Sequence, residues 1–285
     1  MSSAVVSTSA AQGRPFVFED EDKAEGRPPQ RVVPGLSGAF SGAFQDARLA
    51  GVTPAARLAV RPAPEMVSSG IAAMDALTGG LPRGCLTEIC GPASSGRTTL
   101  LLAALAAATR RGECCVVVDA SDALDPQSAA DAGVELERLL WVRCGESSPQ
   151  KCLEQLLRAA DLLLESGGFG LIALDLGDLP PQTARHIPLT TWFRFRRAVE
   201  HTPTVLLAVE RQSIAGSCSS LLIKLGLIKL GAQRNRTKEF ANLSAPTHAQ
   251  LLTEVEITAE LVQSRLERKP VRSAEITFAS KTAWA

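Results

Sequence analysis

The sequence predicts an α/β fold, with a mostly parallel central sheet flanked by helices and a C-terminal antiparallel hairpin. Three observations predict it. Short, continuously apolar runs recur at 85–90, 114–119, 169–175 and 204–209, the pattern of strands buried on both faces. Helical stretches alternate with them at 100–108, 129–139, 150–165 and 190–201, and strands alternating with crossover helices make a parallel sheet covered on both sides. A turn rich in glycine and serine, Gly91-Pro92-Ala93-Ser94-Ser95-Gly96-Arg97-Thr98-Thr99, joins the first run to the first of those helices. In such sheets ligands collect at the carboxyl ends of the strands.

Residues 1–64 precede that pattern. They are rich in Ala, Ser, Pro and Gly and carry an acidic knot, Glu19-Asp20-Glu21-Asp22. Such a stretch buries too little apolar surface to repay its ordering entropy, so it reads as a flexible low-complexity arm with a short helix near 45–49. The arm is either a partner-docking tail or a solvated leader. Residues 65–285 read as one core. Within it, 69–77 predicts a short capped helix and 78–84 a turn into the first strand. Arg110-Arg111-Gly112 ends the helix after the glycine-rich turn, and 140–144 is strand-like. Beyond Gln212 the periodicity weakens. There 221–230 reads as strand, 231–250 as a polar loop, and 254–266 with 271–278, about Arg268-Lys269-Pro270, as a hairpin that closes the core over 251–280.

Composition excludes several classes. The chain has 285 residues, 45% hydrophobic and 21% charged, which describes a globular protein with ample core. Lys+Arg and Asp+Glu are equal at 30 each, so no global field draws in nucleic acid or membrane, and any such binding must use a local patch. The seven cysteines have no paired CxxC spacing and fall mostly in apolar runs; they read as buried thiols of a reducing compartment, not as a disulfide frame or zinc site. No apolar run approaches the roughly 20 residues that span a bilayer, and a cytoplasmic location is expected.

The turn at 91–99 carries the chemistry. Strand, glycine-rich turn and helix N-terminus together point backbone N–H groups and the positive end of a helix dipole into one small volume, a phosphate cradle. The spacing is the P-loop pattern, with Thr98 placed for its hydroxyl to reach a magnesium ion. One position departs from it: a lysine is expected after Gly96 and Arg97 stands there. A planar guanidinium cannot take the place of a thin lysine stem without shifting loop or phosphates, so the cradle can bind nucleotide yet turn it over badly. Asp175 ends an apolar strand where a carboxylate would orient magnesium through its water shell. Hydrolysis also needs a group to orient or deprotonate water. Asp119, Asp122 and Glu210 are the candidates, each with a plain alternative as a loop or capping residue.

These residues carry a resemblance. Residues 69–84, Gly91 to Thr99, and Val118-Asp119-Ala120-Ser121-Asp122-Ala123-Leu124-Asp125-Pro126 with Gly133-Val134 and Leu139-Leu140 resemble the ATPase core of the bacterial RecA recombinases, over about 68–209 and weakly again in the final hairpin. The resemblance implies a RecA-type P-loop NTPase core, ATP and Mg2+ as ligands, and Asp125 among the nucleotide contacts. It also shows departures. The recombinases carry Lys at the position of Arg97 and Glu at that of Ala93. Their catalytic glutamate falls on Ser121, a tyrosine flanking the adenine on Ser128, and the glutamine sensing the γ-phosphate on Arg211. Of two lysines that reach a neighbouring subunit's nucleotide, one position is Arg265 and the other Gln263. A hydroxyl at Ser121 cannot act as a carboxylate base, so efficient hydrolysis is not expected; at most the chain is a weak DNA-dependent ATPase.

The parts that would handle DNA are reduced. The loops corresponding to the recombinases' DNA-binding loops shrink to 176–188 and 212–220, and no counterpart of their C-terminal DNA-gathering domain is expected. What remains basic is Arg211 and the run Trp192-Phe193-Arg194-Phe195-Arg196-Arg197. Aromatic residues interleaved with arginines can stack bases and pair phosphates. At helical spacing, though, Trp192, Phe195 and Val199 also make a sheet-facing stripe with the arginines turned out. Among RecA-like proteins with trimmed loops and an altered P-loop, the chain most resembles the ImuA group, accessory proteins of damage-induced mutagenesis. That implies a role in translesion repair, with single-stranded DNA, a recombinase filament or an error-prone polymerase assembly as partner, and self-association as a further possibility. The alternative is a nucleotide-independent scaffold that modulates a filament.

Overall fold

The computed structural model describes residues 63–145, 148–226, 229–230, 254–266 and 274–281. The expected arm up to residue 62, its helix near 45–49, the loop 231–250 and the turn at 268–270 lie outside the described residues. Two short strands, β1 (Met66–Val67) and β2 (Leu81–Pro82), pair antiparallel and bracket helix α1 (Ala72–Thr78). The segment entering α1 is held by Asp75, whose carboxylate accepts from Ser69 N at 2.8 Å and from the Ser68 and Ser69 hydroxyls at 2.5 and 2.7 Å.

The main sheet follows. Its strands are β3 (Cys85–Cys90), β4 (Cys115–Asp119), β5 (Leu139–Arg143), β6 (Leu171–Asp175), β7 (Val205–Glu210), β8 (Leu221–Leu225), β9 (Lys229–Leu230), β10 (Glu254–Ser264) and β11 (Ala274–Lys281). They lie in the order β11-β10-β8-β3-β7-β6-β4-β5, with β9 on β10. The pairs from β8 to β5 are parallel, and β10 pairs antiparallel with β8, β9 and β11. A mostly parallel sheet closed by a C-terminal hairpin is therefore what forms.

Helix α2 (Arg97–Arg110) lies on one face, its Leu100, Leu101 and Leu105 packed with Ile89, Val117, Leu207 and Ile223. On the other face lie α4 (Pro149–Ser166) and α6 (Leu189–Val199), where Leu156, Trp192, Phe195 and Val199 meet Leu86, Val116, Ile172 and Leu206. The alternation of inward side chains between the two clusters follows from the period of two along a strand. Trp192 and Phe195 are fully buried and stack edge to face, with centroids 6.1 Å apart.

Several boundaries differ from expectation. The helix expected over 129–139 is α3 (Pro126–Asp131) followed by a 3-10 turn at Leu136–Arg138. Asp125 caps α3, accepting from Gln127 N and Ser128 N at 3.3 and 3.0 Å, with Pro126 at the first helical position. Gly133, at φ +89°, then ends the run, since that backbone favours glycine. The segment 221–230 is divided between β8 and β9. Residues 176–188 carry a one-turn helix, α5 (Pro181–Ala184). Among the described residues no helix is long and apolar enough to cross a membrane.

Candidate functional site

Parallel pairing brings β3, β4, β6 and β7 to one edge with their last residues aligned: Cys90 opposite Glu210, and Asp119 opposite Asp175. The turn from Gly91 to Gly96 springs from that edge. The Gly91 amide donates to Glu210 O at 3.1 Å, and a Cβ at Gly91 would stand 2.5 Å from Ser95 Oγ and 2.9 Å from Leu225 O, so only glycine passes there. Ser94 and Gly96 both have positive φ, 57° and 91°. The chain thereby curls and delivers residues 97 onward as the first turn of α2. Among the described residues the amides of Ala93 to Thr99 find no acceptor. The buried Ser95 hydroxyl likewise has no partner. Unspent donors converging at a helix N-terminus are what an anion needs. Pro92, Ala93, Ser94 and Thr98 are exposed, and Arg97 and Thr99 half-buried.

Arg97 leaves the turn sideways. Its Nη1 donates to Gly177 O at 3.0 Å, and Arg211 Nε donates to the same oxygen at 2.9 Å. Arg211 also lies 3.7 Å from the Asp178 carboxylate. Asp175 sits just before Gly177 and accepts its amide through Oδ1 at 2.9 Å. Desolvation, with smaller contributions from Asp119 and Asp178, pushes Asp175 up to about 6 against the pull of the Gly177 amide and Arg97. No Arg97–Asp175 ion pair closes within 4.0 Å among the described residues.

Magnesium, which the resemblance implies, meets a crowded corner here. The ion takes near-octahedral oxygen donors at about 2.0–2.1 Å and is held by one or two carboxylates plus waters and phosphates. Of its two expected donors, Thr98 is exposed, and Asp175 already accepts the Gly177 amide. Arg97 Nη1 and Asp175 Oδ1 lie 2.6 and 3.0 Å from the point where a Gly177 Cβ would stand. A cationic guanidinium thus shares the carboxylate's corner, and the residues do not fit a divalent cation beside it.

The remaining candidates are spread. Asp119 braces its own loop, accepting from Ser121 N, Leu124 N and Trp141 Nε1 at 3.0, 2.9 and 3.3 Å. Asp122 is clamped by Arg143 at 2.5 and 2.6 Å, which holds its carboxyl below the usual range. Asp125 is the α3 cap, and Ser128 lowers it through side-chain and backbone bonds. Glu210 points to the face covered by α4 and α6, away from α2, with Leu206 and Ala208 of the same strand. None of these carboxylates is left open beside the cradle, and Ser121 is exposed.

The basic residues do not form one patch. Arg194 is spent on Asp161, at 3.0 and 2.8 Å. Arg211 is spent at Gly177, while Arg197 is exposed. Arg196 meets Ser217 O at 3.5 Å, and Arg265 meets the same carbonyl at 3.0 Å. That pairing of Arg196 with Arg265 joins two distant stretches and carries no sequence signal. Another feature missed from the sequence is Glu88, fully buried in β3, which accepts from Ile214 N, Ala215 N and Ser213 Oγ at 2.5, 3.1 and 3.1 Å.

Sheet order, the turn at 91–99 and the closing hairpin define a RecA-type α/β core. Comparison with known proteins agrees: residues 57–184 match the RecA N-terminal domain. Protein RecA of Ectopseudomonas oleovorans is 43% identical over 113 residues, which are 39% of this chain and 31% of that protein. Protein RecA of Leifsonia xyli subsp. xyli is 44% identical over 113 residues, 39% of this chain and 30% of that one. The match thus spans about a third of the length of these relatives. The crystal structure of the RadB recombinase superposes with a TM-score of 0.50 at 17% identity, covering 74% of this chain and 94% of that one. The protein is RecA-like in fold, and over residues 57–184 it is similar in sequence to the RecA N-terminal domain.

Proposed function

We propose that this is a RecA-like ATP-binding protein of DNA repair, an accessory of damage-induced mutagenesis like the ImuA group, in which bound nucleotide gates contact with DNA or with a recombinase or polymerase partner and is hydrolysed slowly or not at all. The observation that carries the reading is the set of amides from Ala93 to Thr99 left without acceptors beside the unpartnered Ser95 hydroxyl. Gly91, Pro92 and Gly96 shape that cradle, with Arg97 at its mouth. Slow turnover is supported by the engagement of Asp119 and Asp122 elsewhere, by Glu210 facing the side covered by α4 and α6, and by the hydroxyl at Ser121. Equilibrium binding of labelled ATP to the full chain tests the proposal. Saturable binding, competed by unlabelled ATP, is expected, and its absence overturns it.

The second reading is a nucleotide-independent scaffold that modulates a filament. It is favoured by the anchoring of Arg97 on Gly177, which a ligand would have to respect or displace. A pull-down of recombinase and polymerase partners with and without ATP separates the two. Capture that changes with ATP supports gating, and capture indifferent to ATP supports the scaffold.

A further inference from the structure

We infer that Arg97, together with Arg211, supplies the positive charge for which such a cradle otherwise recruits a divalent cation, so that a nucleoside polyphosphate binds residues 91–99 with no divalent metal present. The inference rests on the nucleotide reading above and concerns how that same site neutralises its ligand. Arg97 opens α2 at the mouth of the cradle, where phosphate charge would accumulate. Its guanidinium has five N–H donors in a rigid fork. One of them is used on Gly177 O, which leaves others for phosphate oxygens, and planar forks bind phosphate in paired fashion. Arg211 brings a second guanidinium to the same carbonyl.

Two guanidinium groups and two carboxylates, Asp175 and Asp178, meet around that carbonyl. Two cations converge on one neutral oxygen. The Asp178 carboxylate reaches Arg211 at 3.7 Å from an exposed position, and Asp175 is occupied by the Gly177 amide. Like charges held together want an anion between or beside them. A polyphosphate seated on the amides of 93–99 is adjacent to Arg97 and meets that need. Two guanidinium charges equal the charge of one divalent ion, so magnesium arriving with the nucleotide would add a cation where two already stand. The ion therefore gives the bound state little, and its removal costs little.

The test is a titration of the full chain with ATP carrying a fluorescent ribose label, read by anisotropy, in excess magnesium and in EDTA. The two dissociation constants are expected to agree within about twofold, and Arg97→Gln is expected to bind at least about tenfold more weakly in EDTA than in magnesium. Wild-type binding that weakens about tenfold or more in EDTA overturns the inference and leaves the nucleotide reading standing. An Arg97→Gln variant as indifferent to magnesium as the wild type also overturns it, because the charge would then come from elsewhere. No binding in either buffer overturns the nucleotide reading and this inference together.

Discussion

Glu210, the last residue of β7, lies against Glu88 of the adjacent strand β3, and neither of its carboxyl oxygens meets a donor among the described residues. Glu88 is the acceptor of three hydrogen bonds from 213–215. Two facing carboxyl groups in a dry sheet hold a proton between them. Burial first, and the Glu88 carboxylate second, push Glu210 well above the usual carboxylate range.

The sign of the pH dependence follows. An acid whose folded pKa is raised binds its proton more tightly in the folded chain, so between the unfolded value, near 4.5, and the folded one, stability falls as pH rises. The loss is about 1.4 kcal/mol for each pH unit of that window. Glu210→Gln keeps a neutral donor of similar shape and does not titrate. Thermal melts are expected to fall with pH from 5 upward in the wild type and to be flatter in the variant, which should melt several degrees higher at pH 8. Parallel melting curves for the two proteins would show that Glu210 is ionised already.

Gly96 is fixed by backbone and by space at once. Its φ is +91°, and a Cβ there would stand 2.5 Å from Cδ1 of the fully buried Ile257 of β10. Gly96→Ala is therefore expected to cost about 1–3 kcal/mol, combining backbone strain with overpacking. Denaturant midpoints measure this, and a shift below about 0.5 kcal/mol would mean the turn relaxes freely.

The aromatic-arginine run has two readings that a pair of substitutions divides. Trp192 is fully buried, whereas Phe193 is 48% exposed. Trp192→Ala should cost about 3–5 kcal/mol, and Phe193→Ala less than about 0.5 kcal/mol. If this helix packs the core and does nothing further, Phe193→Ala leaves binding of single-stranded DNA unchanged. A clear loss of DNA binding with unchanged stability would assign Phe193 to a stacking surface.

The sequence made the sheet legible because its strands are short apolar runs separated by helices, so period and length pointed the same way. The stripe of Trp192, Phe195 and Val199 was legible for the same reason. Helix α3 was misplaced because its start lies in Asp125 and Pro126, a cap and first-turn pair easily taken as part of a motif, and its end in a single glycine. Glu88 was invisible: within 85–90 it reads as one polar residue in a strand, and its three donors come from 213–215, a contact between distant segments. The meeting of Arg97 and Arg211 at Gly177 O depends on β3, β6 and β7 ending level, which sheet order sets and local pattern does not encode. Arg97 was recognisable as an exception at its position, but where its fork would go was not.

That destination bears on turnover. Arg97→Lys withdraws the fork from Gly177 and replaces it with a compact charge on a flexible stem, so nucleotide binding in magnesium should strengthen. Hydrolysis should nevertheless stay near background, because attack by water still lacks a base: Ser121 presents a hydroxyl, and its neighbours Asp119 and Asp122 are spent on Trp141 with the loop amides and on Arg143. Adding Ser121→Glu to Arg97→Lys places a carboxylate at that position, and a positioned general base contributes roughly 10²–10⁴-fold in rate. The double variant is expected to release phosphate measurably faster than either single variant, in a continuous phosphate assay with single-stranded DNA present. Brisk turnover by Arg97→Lys alone would show that another group, with Asp122 freed from Arg143 the first to examine by Asp122→Asn, already serves as the base.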